Sequence, residues 1–446
     1  MPAARSVERP RTVNPPCAGG NGRTLRLFGE RMGHVLTAIL LIGGASIVDH
    51  VLAARKARQA GDAKTWLAEG QQALAHVPDH PDLLISMARA QAANGHATDA
   101  VGLLRQAIER GAGLEVQRVQ EFQALPASVE LDDLSVRARR NLAAVPRAEV
   151  FAVLPDATAQ PEGVEYDPAT RRVFTGTTHG EILQIDAAGT VSTFVPRGGA
   201  LREVLGIKVD ARRRLLWAAT CVYPELFSAT QGKPDAGISG VIAYSLETGK
   251  LVQQAWLDER PSLHGFNDLA VARSGAVYVT DTPQNAVYRL HGGKLSLLFR
   301  HPRMSLPNGI VLAPDQRHLY VAALEGLIRF DLRTGMGQPV AVPRDAAVNS
   351  IDGLSWHEGA LVGVQRSPYL ARIVRIELSK DGASVVRTVT LNARSPAEYN
   401  QTTVAVGKEW LYAVASAPAI DTSETPLASA PKPQILRIPL EVATKR

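Results

Sequence analysis

One sequence unit recurs six times between residues 149 and 440, and it predicts a mainly β fold: a six-bladed β-propeller of four-stranded blades, preceded by a small α-helical segment. Three observations carry this expectation. From Glu149 onward, short Val, Ile, Leu and Tyr runs are split by Gly, Asp and Pro, a strand-and-turn pattern. Each unit opens on a small motif: Pro161-Glu162-Gly163, Leu205-Gly206-Ile207, Phe266-Asn267-Asp268, Pro307-Asn308-Gly309, Ile351-Asp352-Gly353 and Gln401-Thr402-Thr403. Its anchors Gly163, Gly206, Asp268, Gly309, Gly353 and Thr403 are 43, 62, 41, 44 and 50 residues apart, each interval long enough for several strands. Finally, the last unit runs out after three strands, whereas a lone strand at 150–154 precedes the first motif and can close the ring.

Within a unit the motif leads into the inner strand. A turn leads to a second strand beginning near Val173, Leu215, Ala276, His318, Ala360 and Trp410. Third strands follow at 182–185, 241–244, 287–290, 327–330, 373–376 and 435–438. The long second interval implies an insertion at 223–239, read either as a lid or specificity loop or as a tolerated surface insertion.

Residues 50 to 144, rich in Ala, Leu, Gln and Arg, read as helix throughout. Ala54, Gly61 and Ala73 recur in type 34 residues later as Ala88, Gly95 and Ala107, and this small-residue period resembles tetratricopeptide repeats. Two units fall short of a free-standing array, so the segment is expected to lean on its neighbour, with a plain helical hairpin as the simpler reading. A basic stretch at 23–31, an apolar run at 35–48 and the small pair Ala53-Ala54 have the order of a secretory signal. The run is short for a bilayer span, so export to the periplasm or exterior is favoured over a retained anchor. A start at Met32 would weaken that reading, and a buried amphipathic helix is the alternative. The expected division is a leader at 1–53, a helical segment at 54–146 and the propeller at 147–446.

The formal charge of +6 suggests a nucleic-acid partner until it is mapped. Residues 1–60 hold nine basic and three acidic residues, which is the whole excess; the body is neutral and has no basic footprint for nucleic acid. Two cysteines, Cys17 and Cys221, provide neither a disulfide framework nor a thiolate metal site.

Inner strands line a propeller's channel, so residues opening them converge on one mouth. At that position the sequence places Glu162, Gly206, Asn267, Asn308, Asp352 and Thr402. Carboxylates facing each other in a narrow tunnel need a compensating cation. All-oxygen donors without His or Cys suit a hard divalent ion, Ca²⁺ first, Mg²⁺ or Mn²⁺ next. Asn308 or Asp352 alone would read as a hairpin residue; their shared register argues for ligands.

With these motifs the segment from 149 to 440 resembles the senescence marker protein (regucalcin) and gluconolactonase group, with paraoxonases and diisopropylfluorophosphatase as more distant relatives. The resemblance implies hydrolysis of lactones, esters or phosphotriesters at a catalytic divalent ion. It implies Glu162, Asn308 and Asp352 as ligands and Asn267 as a ligand or substrate contact. Gly265 stands where sugar-lactonase members carry an arginine, so the resemblance does not extend to a gluconolactone-type substrate.

Strand direction assigns His179, His264, His301, Tyr223, Gln284, Glu325, Arg366 and Tyr369 to mouth-side segments, and His291, His318 and His357 to the far face. His264, three residues before Asn267, is the candidate proton carrier. His179, Tyr223, Gln284 and Arg366 are candidate substrate contacts. The leading expectation is a metal-dependent hydrolase of small lactones or esters, with Asp352 as ligand and base. One alternative is a non-catalytic binding propeller whose ion is structural and whose helical repeats hold a protein partner. Another is a strictosidine-synthase-like propeller, against which the four oxygen donors argue.

Overall fold

The computed structural model describes residues 46–222, 235–394, 400–416 and 431–440. It bears out the propeller: six four-stranded antiparallel sheets follow one another along the chain. In five of them the strand order is the chain order. The sixth combines Asn400–Val406, Trp410–Ser416 and Gln434–Pro439 with the earlier strand Glu149–Val153, which pairs antiparallel with Gln434–Pro439. The ring is therefore closed by hydrogen bonds between its two ends, as the unpaired early strand predicts.

Middle strands such as Ala360–Gln365 are buried along their whole length because both faces meet neighbouring blades, and they read as unbroken apolar runs. The outer strand Leu251–Leu257 is largely exposed or half-buried. Core residues form a ring of interfaces rather than one centre. Phe174, Ile207 and Ile242 join blades one and two, and Trp217, Leu269 and Val279 join blades two and three. The closing interface sets Ala152, Leu154 and Val173 against Val414 and Ile435.

The helical segment comprises α1 (Ile47–Gln59), α2 (Ala63–His76), α3 (Pro81–Ala93), α4 (Ala97–Glu109) and α5 (Val129–Asn141). The starts of α3 and α4 lie 34 residues after those of α1 and α2. The α1–α2 and α3–α4 turns use Gly61 and Gly95, both at positive φ. Helix is not continuous to 144: between Arg110 and Ser128 the chain makes only short 3₁₀ turns. Gly113 lies so close to the chain at Leu142 that a β-carbon would sit 2.6 Å from its amide nitrogen, and Pro126 removes a donor. A Ser46–Asp49 capping box opens α1, so the expected boundary at 53/54 falls inside that helix.

The helices sit on the mouth face over blades four and five. Leu324, in the hairpin between the second and third strands of blade four, packs with Ile47, Ala73 and Val77. The Gly113 amide donates to the Tyr369 carbonyl, in the corresponding hairpin of blade five, at 3.0 Å.

Closure rests on buried apolar contact at the seam. Leu154 is fully buried there, and its amide donates to the Pro433 carbonyl at 2.8 Å. Leu154→Ala is expected to cost about 2–5 kcal/mol, whereas Val153→Ala, at a side chain 49% exposed, should change stability by less than about 0.5 kcal/mol. Urea unfolding followed by tryptophan fluorescence measures both.

Candidate functional site

The motif lies at a β-bulge. Register breaks between Pro161 and Val164, Val204 and Ile207, Phe266 and Leu269, Ile351 and Leu354, and Gln401 and Val404, in each case where the inner strand pairs with the second. In blade four the regular strand begins only at Ile310, directly after Pro307-Asn308-Gly309. A bulge re-aims the side chain it carries. The motif thus sits inside the inner strand rather than ahead of it. The register also corrects blade two: Leu205, not Gly206, occupies the position of Glu162, Asn267, Asn308, Asp352 and Thr402. Gly206 aligns with Gly163, and the ring has an apolar residue at that point.

In three of the motifs, Glu162-Gly163, Asn308-Gly309 and Asp352-Gly353, glycine follows the polar residue, and at the first two the reason is steric. A β-carbon on Gly163 would lie 2.6 Å from the Leu205 carbonyl oxygen, and one on Gly309 would lie 2.5 Å from that of Asp352. Only glycine lets adjacent inner strands approach this closely.

Four of the anticipated residues meet at the mouth. Asn308 Nδ2 donates to Asp352 Oδ1 at 2.7 Å, and Arg366 donates to Asp352 Oδ2 at 3.1 Å. Glu162 lies within electrostatic reach of both Asp352 and Arg366. Burial, reinforced by the Asp352 charge, raises the Glu162 carboxyl to about 7, against the opposing effects of Arg366 and the Thr402 hydroxyl. Burial works against the Arg366 charge, but Asp352 and Glu162 outweigh it and raise its pKa. Asn308, Asp352 and Arg366 line a cavity of about 210 Å³ whose other walls include Leu306, Leu324, Ser350 and Ile351. Asn267 is fixed by donation of its Nδ2 to Thr282 Oγ1 at 3.2 Å, which leaves its amide oxygen as the available donor atom.

Among the described residues no three His, Cys, Asp or Glu side chains form a metal-type cluster. The oxygen donors here are instead two carboxylates and two amides. With one guanidinium among them, the two carboxylates keep an uncompensated negative charge when ionised, which adds to burial in raising the Glu162 carboxyl. This donor set fits a hard divalent ion.

Deeper in the channel lies a group that the sequence reading passed over. Lys208 of blade two reaches Glu165 of blade one at 2.7 Å. Burial opposes the ammonium, but Glu165 and then Asp268 of blade three outweigh it, and its pKa is raised. Burial lifts the Asp268 carboxyl to about 6 even though it faces Lys208 and accepts the Leu269 and Ile310 amides at 2.8 and 3.1 Å. The available signal was a lysine inside an otherwise apolar inner strand.

The remaining candidates lie elsewhere. His264 is buried, with Nδ1 2.5 Å from Asp281 Oδ2 and its ring edge-on to Tyr288; its Nε2 has no hydrogen-bond partner among the described residues. None of these contacts joins it to the Glu162–Asp352 group. His179 stands 3.4 Å from Asp156 in a rim cluster with Arg197 and Glu181. Gln284 donates to the Leu263 carbonyl and lines a separate cavity of about 320 Å³ with Arg300 and His301. Tyr223 lies outside the described residues.

No protein-family model and no curated protein matches the sequence. Among solved structures, a gluconolactonase from Xanthomonas campestris is similar at 17% identity and a TM-score of 0.43, over 67% of this chain and 98% of that one. A PQQ-bound aldose sugar dehydrogenase from Streptomyces coelicolor is similar at 14% and 0.45, over 67% and 99%. A virginiamycin B lyase from Staphylococcus aureus is similar at 14% and 0.44, over 66% and 99%. The propeller assignment itself rests on this chain's own strand pairing.

The Glu162 carboxyl, raised from an ordinary 4.5 to about 7, keeps in the folded state a proton that the unfolded chain releases. Its contribution therefore makes stability fall as pH rises from about 4.5 to about 7. In chelator, unfolding free energies across this range should decline, and Glu162→Gln should flatten part of the slope.

Proposed function

We propose that the mouth of the propeller binds a divalent cation, Ca²⁺ before Mg²⁺ or Mn²⁺, and hydrolyses a lactone or ester bond of a small molecule. The observation that carries this reading is the meeting of Glu162 and Asp352, from blades one and five, with Arg366 alone among the described residues to offset them beside an apolar-walled cavity. Glu162, Asn308 and Asp352 would hold the cation, with the Asn267 amide oxygen as a further donor. A bound divalent ion supplies Lewis acidity toward a carbonyl oxygen.

The chain's own groups do the rest. Leu306, Leu324 and Ile351 shelter the hydrocarbon part of the substrate and exclude water from it. Arg366, held by Asp352, presents further N–H donors with which to orient a carbonyl or carboxylate. Asp352 would accept the proton of the attacking water. The resemblance of the four mouth motifs to the gluconolactonase group supports the same chemistry. Gly265 again separates the substrate from gluconolactone. The 34-residue recurrence of the helices supports the tetratricopeptide-like reading of the segment before the propeller. The order of basic stretch (23–31) and apolar run (35–48) supports export; because α1 spans Ile47–Gln59, cleavage at the small pair Ala53-Ala54 would trim that helix.

Metal analysis of wild type and Asp352→Ala, with a screen of lactones and aryl esters, tests the proposal. Wild type should retain a divalent ion. Asp352→Ala should lose it and fall about 100-fold or more in kcat/KM. A wild type without bound metal would overturn the catalytic reading, and bound metal without turnover would leave a binding propeller.

A further inference from the structure

We infer that the helical segment is part of this site: the turn His80-Pro81-Asp82, at the start of α3, fixes the two blade-five segments that carry Asp352 and Arg366, with His80 as a positioning residue. In its effect on metal and substrate the inference rests on the proposed function; in its effect on the backbone it does not.

His80 caps α3 and is only 3% exposed. Its Nδ1 accepts the Asp82 amide at 3.2 Å, so the neutral ring carries its hydrogen on Nε2, which lies 3.4 Å from Ser350 Oγ. Ser350 is a cavity wall two residues before Asp352, held at a φ of 56°, and its carbonyl accepts the Arg366 amide at 2.8 Å. The Arg366 side chain then meets Asp352 at 3.1 Å. One helix cap is thus linked by three successive hydrogen bonds to the carboxylate expected to bind metal.

A second path runs in parallel. Asp82 Oδ1 accepts the Ser367 hydroxyl at 2.6 Å, and Ser367 Oγ accepts the Tyr369 and Leu370 amides at 3.1 and 3.2 Å. Both paths end on residues flanking Arg366 or Asp352. Leu324, another cavity wall, is backed by Ile47, Ala73 and Val77. An interface serving adhesion alone needs only apolar contact. Directional polar pairs, part-buried between the helix cap and these two segments, fix their placement.

The test uses the full chain as wild type, His80→Ala, His80→Gln, Ser350→Ala and the double variant His80→Ala/Ser350→Ala. Amide exchange, Mn²⁺ binding by calorimetry, and kcat and KM on 4-nitrophenyl acetate and γ-butyrolactone are measured. In His80→Ala the Arg366, Tyr369 and Leu370 amides should exchange about tenfold faster while blades one and two stay as in wild type. Mn²⁺ affinity should weaken about tenfold, and kcat should fall more than KM rises. His80→Gln, which keeps a donor, should recover most of each, and the double variant should be no worse than either single one. A folded His80→Ala with wild-type exchange at Arg366 overturns the inference. Should His80→Ala fail to fold, Ser350→Ala, which removes one hydroxyl, decides by the same amides. A wild type that neither binds Mn²⁺ nor turns over an ester defeats the proposed function alone, and the exchange data still decide the inference.

Discussion

The constraint on which the rest depends is the crowding of inner strands around the channel mouth. Six strands approach one axis, and at Gly163 and Gly309 the next strand's backbone lies closer than a β-carbon allows. Glycine admits that approach, and the bulge beside it turns the preceding side chain toward the mouth. Glu162, Asn308 and Asp352 are thus delivered to one place by a backbone rule that also closes the ring. The site chemistry and the packing share a motif because both are consequences of the same narrow geometry.

Charge then separates two levels of the channel. Each holds two carboxylates and one cationic side chain, yet they are balanced differently. In the deeper level Lys208 pairs with Glu165, while Asp268 takes two backbone amides, so each carboxylate has a partner built into the fold. At the mouth Arg366 and Asn308 both go to Asp352. Glu162 is left with burial, a like charge and the weaker help of Thr402 and Arg366, and its proton affinity rises accordingly. In both levels burial leaves one carboxyl raised, Asp268 to about 6 and Glu162 to about 7, but Asp268 accepts two backbone amides whereas Glu162 has the Thr402 hydroxyl and the Arg366 charge.

Much of the fold was legible because it repeats. The six motifs, the strands after them and the lone strand at 150–154 recur at intervals that a single chain displays without any knowledge of contacts, and the same holds for the 34-residue recurrence of α1–α2 in α3–α4. Glu162, Asn308, Asp352 and Arg366 could be placed together because register and strand direction fix which end of a blade they occupy. The bulge could not be read: an extra residue in one strand leaves no mark in composition, and so Gly206 stood where pairing puts Leu205. His264 was placed on the mouth side of its blade, but its partner Asp281, seventeen residues away, belongs to no period and could not be read from spacing.

The least legible feature is the seat of the helices, since a contact between His80 and Ser350 spans 270 residues and belongs to no period. Physically it is the expected complement of the propeller's design. Inner strands are locked by their neighbours on both sides, but the hairpins and connectors at the mouth have neighbours only along the chain and would otherwise be the softest part of the molecule. Two helical pairs are in turn too few to bury their own faces as a free array. Each part lacks what the other has: the helices need an apolar surface, which Leu324 and Tyr369 give, and the blade-five hairpin needs fixed partners, which His80, Asp82 and Gly113 give. The joint falls on Ser350 and Leu324, two walls of the cavity, so the helical segment backs the site from behind rather than hanging from the propeller as an appendage.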